Sequence, residues 1–253
     1  MSKLLKILFI FLLIALAVSF FERDNYKTIK QSDIVPSLFG EPLQKEISDK
    51  TTVKFTRNDY QYEITPLFNY ELNGLVVRKT DYTFLSIYKR SSVFPVDLCV
   101  IWGGNLREEV YRNKTLKFEQ DMRFCFSKWS GNVNFGVGQF SNNHLVTDNN
   151  QMENKLKSLR IGDQIKIKGK LVNVKATLVG EAGKYDPRTF IWNTSTTRTD
   201  VGDGACETIF VEEMEILKRA DTFMDYLYFF SFYGLVALIF SRIIYFFWEV
   251  TKK

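Results

Sequence analysis

The sequence predicts a mainly β domain flanked by two transmembrane helices. Three observations carry that prediction. Uncharged, apolar stretches stand near both ends of the 253-residue chain. Between them lie short runs rich in β-branched and aromatic residues, separated by Gly, Asn, Asp and Ser. One of those runs alternates apolar and polar residues for several steps, as a half-buried strand does.

Residues 1–24 read as a signal anchor. Lys3 and Lys6 precede an uncharged run over 7–21, ILFIFLLIALAVSFF. With Leu4 and Leu5 the run reaches the lower limit for crossing a bilayer. Lysines ahead of such a run form the n-region of a signal sequence, and Ala15-Leu16-Ala17 resembles a small-x-small cleavage site. The bulky Phe20 and Phe21 just past that site favour retention as an uncleaved anchor. Residues 25–58 are polar and punctuated by Pro36, Gly40 and Pro42. They read as a juxtamembrane linker holding one short strand at 52–55.

From 59 to 220 the texture is that of a β domain. Short strands are expected at 60–64, 70–73, 75–77, 84–88, 98–102 and 124–126. The clearest pattern is LRIGDQIKIKGKLVNV over 159–174, where Gly162-Asp163 supplies a turn and Gly169 suits a bulge or sharp bend within the strand. A Gly-Asp turn leading into an alternating strand with an interior Gly suggests a compact OB-like domain or a small β-barrel or sandwich. Met152, Leu156 and Leu159 fall at helical spacing after an Asn/Asp cap region, which predicts one short helix at 149–159. A last strand over 208–217 leads to a second apolar segment at 225–248. Interrupted only by Arg242, that segment spans if the guanidinium snorkels to a headgroup. Tyr226, Tyr228, Tyr245 and Trp248 near its ends match the aromatic belts of membrane helices. Residues 249–253 form a basic tail.

Orientation follows from the lysines flanking the spans. Lys3, Lys6, Lys252 and Lys253 put both termini in the cytoplasm and the β domain on the far side. Lys218 and Arg219 stand on that far side beside Asp221 and Asp225. The expected setting is therefore a bacterial inner membrane with a periplasmic domain. At 25% charged and 45% hydrophobic the chain is not disordered. Its net charge of +5 is spread without a basic stripe, which argues against nucleic acid as a partner. The expected partners are the lipid bilayer and another envelope protein, and no cofactor is implied.

Three groups of residues merit chemical attention. The cysteines are Cys99, Cys125 and Cys206; outside the cytoplasm one disulfide among them is expected, with three pairings open. A metal site from these three with His144 lacks any C-x-x-C spacing, and no metal is assigned. His144, the sole histidine, sits in SNNHL, which reads as a polar turn able to present a base or a ligand. The densest polar stretch, WNTSTTRTDVGDGACE over 192–207, brings Arg198, Asp200, Asp203 and Glu207 close in sequence. His144, Arg198, Asp200 and Glu207 are thus the candidate catalytic residues of an envelope hydrolase, the alternative to a binding or assembly domain. No G-x-S-x-G, Walker A, G-x-G-x-x-G or H-E-x-x-H occurs.

Taken together, Ser141-Asn142-Asn143-His144-Leu145, Gly162-Asp163-Gln164-Ile165 and Thr197-Arg198-Thr199-Asp200 through Gly204-Ala205-Cys206-Glu207 resemble a family of bacterial membrane-anchored proteins. The resemblance runs over roughly residues 60–215 and the flanking apolar segments. It implies an envelope setting and carries over no catalytic residues.

Overall fold

The computed structural model describes residues 3–57, 59–83, 93–121, 123–181, 188–197, 200, 202, 205–220 and 223–252. They divide into two compact units, one made of the helical ends and one spanning Tyr26–Ala220.

In the helical unit, α1 (Lys3–Glu22) and α4 (Phe223–Thr251) are both long and apolar enough to cross a membrane. They run antiparallel. Phe20 meets Tyr228, and a methyl built on Gly234 would lie 3.1 Å from Leu12. Small residues line this contact, as membrane helix pairs favour. Ser19 and Ser231 are buried there, each donating its hydroxyl back to a helix carbonyl, Ala15 and Leu227 respectively, at 2.7 Å.

The second unit is built on a closed ring. Its strands are β1 (Leu43–Glu46), β2 (Val53–Arg57), β3 (Tyr60–Asp81), β4 (Val96–Ile101), β5 (Lys117–Asp121), β6 (Phe124–Lys128), β7 (Phe140–Val146), β8 (Gln164–Leu178), β9 (Thr189–Trp192) and β10 (Cys206–Lys218). The short helices α2 (Gly104–Arg107) and α3 (Asn150–Lys157) complete it. The ring runs β3-β4-β7-β10-β8 and closes through β8 on β3. Every neighbouring pair is antiparallel except β7–β10, which is parallel. This is the OB-type arrangement, with α3 between the third and fourth ring strands.

Alternation explains the ring. On β8, Ile165, Ile167 and Leu171 turn inward, while Lys166 and Lys168 pair across the outside with Glu71 and Glu213. The interior holds Leu72, Val76, Leu98, Leu145, Ile209 and Met214, and Leu156 of α3 packs into it. Asn149 caps α3 by accepting from the amides of Gln151 and Met152. At Gly169 the partner strand bulges: the register jumps from Val211 to Glu213 opposite Gly169 and Lys168.

Beyond the ring, β3 and β8 continue as one long ribbon joined at its edges by β2 and β9. This sheet carries Phe55, Tyr62, Val174, Phe190 and Trp192 against Val146 and Phe210, so it covers the outer side of β7 and β10. The segment expected to be a linker is part of the fold. Leu38 is fully buried in a core shared with Tyr111 and Phe118, and β1 and β2 pair with β3. The runs expected as separate strands between 60 and 77 are one 22-residue strand. The strand expected at 84–88 lies outside the described residues.

The turn ahead of β8 is anchored by Asp163. Gly162 takes the left-handed conformation there (φ +89°), and the fully buried Asp163 carboxylate accepts from the amides of Arg160 and Ala220 and from Arg219 at 2.7 Å. Hydrogen bonds to a charged group contribute about 1.5–3 kcal/mol each. Asp163→Ala is expected to cost about 3 kcal/mol in denaturant unfolding, more than any single exposed ion pair of this domain.

Candidate functional site

The outer side of β4 and β7 carries polar residues where an apolar sheet face would ordinarily lie. Register pairs Asp97 with His144 across β4–β7 and His144 with Thr208 across β7–β10, so the three form one row on one face. A second row runs Cys99–Asn142–Cys206. All three members of the first row are fully buried.

Asp97 is the centre of charge. Its Oδ1 lies 2.9 Å from His144 Nδ1, off the line a hydrogen bond needs. Arg123 Nη1 reaches both carboxylate oxygens at 3.4 Å. That arginine, held at φ +72° in the turn between β5 and β6, also donates to the Phe94 carbonyl and stacks 4.0 Å over Tyr82. The Tyr82 hydroxyl donates to Asp97; burial, with the neighbouring carboxylate second, holds its pKa well above the usual tyrosine range.

Aromatic rings close over the imidazole. Phe94 stacks on it at 5.4 Å and Trp192 meets it edge-on at 4.8 Å. His144 Nε2 and Thr208 Oγ1 have no hydrogen-bond partner among the described residues. An imidazole facing a carboxylate can act as a proton acceptor, but here it lies between the ring and the β2-β3-β8-β9 sheet, shut off from bulk solvent.

In the second row, Cys99 and Cys125 are joined by a disulfide that ties the β5–β6 hairpin to β4. Asn142 sits between that bond and the free thiol: its Oδ1 is 3.1 Å from Cys125 Sγ, and its Nδ2 donates to Cys206 Sγ at 3.1 Å. Burial, ahead of nearby Glu207, Asp97 and Asp200, pushes the Cys206 thiol up to about 11. The folded form therefore keeps its proton where the unfolded thiol would lose it. The stability tied to this thiol is complete below pH 9 and lost as pH rises toward 11. Cys206→Ala is expected to lose less stability than the parent between those values, read by unfolding midpoints at pH 8 and 10.5.

The candidate residues of the sequence are not gathered at one point. His144 lies in a buried strand rather than a polar turn, because cross-strand neighbours supply the polar contacts that a turn would take from water. Glu207 is adjacent to Thr208 on β10 and therefore turns to the opposite side of the sheet from His144, toward the ring interior. Asp200 accepts from Ser195 Oγ at 2.5 Å within its own loop. Arg198 and Asp203 lie outside the described residues. The acid that meets His144 is Asp97, which sequence reasoning missed. Its signal was a lone carboxylate inside the apolar run Val96-Asp97-Leu98-Cys99-Val100.

With Cys99 and Cys125 bonded to each other, the three thiols and His144 do not form a ligand set. Among the described residues no three His, Cys, Asp or Glu side chains converge to hold a metal ion. Compared with protein-family models, with curated proteins and with solved structures, the chain finds no match in any of the three.

Proposed function

We propose that this is a bacterial envelope protein whose OB-type domain stands on the periplasmic side of the inner membrane and binds or assembles with another envelope protein. The observation that carries the reading is a closed ring with an internal disulfide, set between two apolar helices in the sequence. A disulfide persists in oxidising compartments, which supports the periplasmic side. Lys3, Lys6 and Lys252 at the far ends of the two helices support cytoplasmic termini, and the bulky Phe20 and Phe21 support a retained anchor.

The reading also explains a sealed polar row. In OB domains that bind oligonucleotides, the face of the second and third strands is open. Here β4 and β7 occupy those places and are covered by the domain's own aromatics, so Asp97 and His144 serve to fix the sheets. Binding then falls to the domain surface, where Phe126, Trp129 and Val137 are exposed. A photo-crosslinking residue at Trp129 in living cells is expected to trap one defined envelope protein. Adducts no different from those at the solvated Lys54 would refute a binding role for this surface.

A hydrolase is the second reading; it replaces the expected acids of 198–207 by Asp97, 2.9 Å from His144, and needs the covering rings of Phe94 and Trp192 to part for a substrate. It requires His144→Gln to keep the fold and abolish an esterase or amidase activity of the purified protein. The binding reading expects no such activity to lose.

A further inference from the structure

The helical unit contains a groove of about 560 Å³ between α1 and α4, lined by Leu5, Phe9, Leu238, Ile239 and Phe247, with Arg242 at its rim. We propose that this groove is a binding site for an anionic phospholipid, an acyl chain lying in the groove and the phosphate on Arg242.

Three observations converge on that occupant. First, Arg242 has no carboxylate at ion-pair distance among the described residues; its contact is the Tyr245 ring, 5.5 Å away. An arginine inside a span is costly unless it meets an anion or water. Second, Arg242 stands nineteen residues beyond Phe223, about 28 Å along the helix, close to the thickness of a hydrocarbon core. Its guanidinium therefore reaches the headgroup level, while the part of the groove lined by Leu238 and Ile239 lies among the acyl chains. Third, because the helices are antiparallel, with Phe20 against Tyr228 and Leu12 against Gly234, Lys3 and Lys6 of the α1 end come to the level of Arg242. The end of the pair that carries the groove thus carries basic groups and an apolar slot together, the pairing that suits an anionic lipid headgroup and its tail.

This inference rests on the two helices spanning a membrane, and the experiment separates the two claims. The full chain is reconstituted in vesicles containing either dibrominated phosphatidylglycerol or dibrominated phosphatidylcholine. Bromine quenching of a tryptophan introduced by Leu238→Trp, on the groove wall and four residues inside Arg242, is read against the unsubstituted chain. The expected result is that phosphatidylglycerol occupies the site about fivefold more strongly than phosphatidylcholine, the effect of one basic group at a membrane surface. Arg242→Gln is expected to bring that ratio to about one, with phosphatidylcholine quenching unchanged as proof of insertion, while Arg242→Lys retains part of the preference.

Equal quenching by both lipids in the parent protein, or a preference that survives Arg242→Gln, would overturn the lipid site and leave the membrane reading standing. Loss of the preference on adding soluble glycerol phosphate would overturn it in favour of a free-phosphate site. Quenching of the Leu238→Trp variant by neither lipid would overturn the membrane reading and this inference together.

Discussion

Asp97→Ala is expected to unfold the β domain or to lower its unfolding temperature by more than about 10 °C, from a loss of about 3–5 kcal/mol. The carboxylate is fully buried and faces the His144 imidazole, the Arg123 guanidinium and the Tyr82 hydroxyl. Removing it takes from the Arg123 guanidinium, whose side chain is only 15% exposed, the buried carboxylate that it reaches at 3.4 Å. Breaking a buried pair from one side costs more than the pair contributes, because the orphaned charge stays desolvated. The comparison with Asp97→Asn separates charge from shape: the amide still accepts from Tyr82, so an intermediate loss is expected. Replacing Asp97, Arg123 and His144 together by Leu, Met and Leu should recover most of the stability, since apolar residues of similar volume often replace a buried ionic group without penalty. Trp192, edge-on to His144, reports the unfolding by its fluorescence. An Asp97→Ala midpoint equal to that of the parent would mean that the row does not hold the sheets together.

Gly169→Ala is the second severe change, and it acts through the backbone. A methyl at Gly169 would stand 2.0 Å from the Phe210 carbonyl oxygen and 3.2 Å from Val211 Cα. Both are main-chain atoms of β10, so no side chain can turn aside to make room. The strand must either lose its bulge or part from β8 over several residues, opening the ring. Overpacking in a tight interior costs about 1–3 kcal/mol when side chains can adapt, and here they cannot, so the upper end or beyond is expected. Gly131→Ala is the control: that glycine has nothing within 4 Å, though its φ of +74° carries the ordinary strain of the left-handed region. Denaturant unfolding of the two variants compares a collision with a conformational penalty. Equal midpoints would contradict the claim that β8 and β10 touch at Gly169.

Gly169 stood out in the alternation of 164–171 and led to the expectation of a bulge or bend in its own strand; the register shift lies instead in the partner strand β10, between Val211 and Glu213. The apolar ends were legible for the reason that membrane segments usually are: a single apolar run of this length can satisfy its backbone groups in hydrocarbon only as a helix, a closed barrel needing many strands. The ring itself could be inferred in kind. Its closure depends on β3 pairing with β8 at long range, and no local pattern records that. β3 looked like three short strands at 60–64, 70–73 and 75–77, yet it is one ribbon that passes through Pro66 with a register shift. The site was hidden by local reading too. Ser141, Asn142, Asn143 and His144 are polar, and local reasoning takes polarity for exposure. All four are buried, because Leu98, Asp97, Cys206 and Arg123 provide their contacts. The stretch at 25–58 read as a linker because its apolar anchors, Ile34 and Leu38, are a single pair among polar residues and sustain no period.

The account depends most on where the OB-type domain stands relative to the bilayer. Alkaline phosphatase fused after Lys218, compared with green fluorescent protein at the same point, tests this in a bacterial cell. The proposal predicts an active phosphatase and a dark fluorescent protein, with Cys99 and Cys125 protected from alkylation until reductant is added. A fluorescent, phosphatase-negative pair with freely alkylated Cys99 and Cys125 would contradict it.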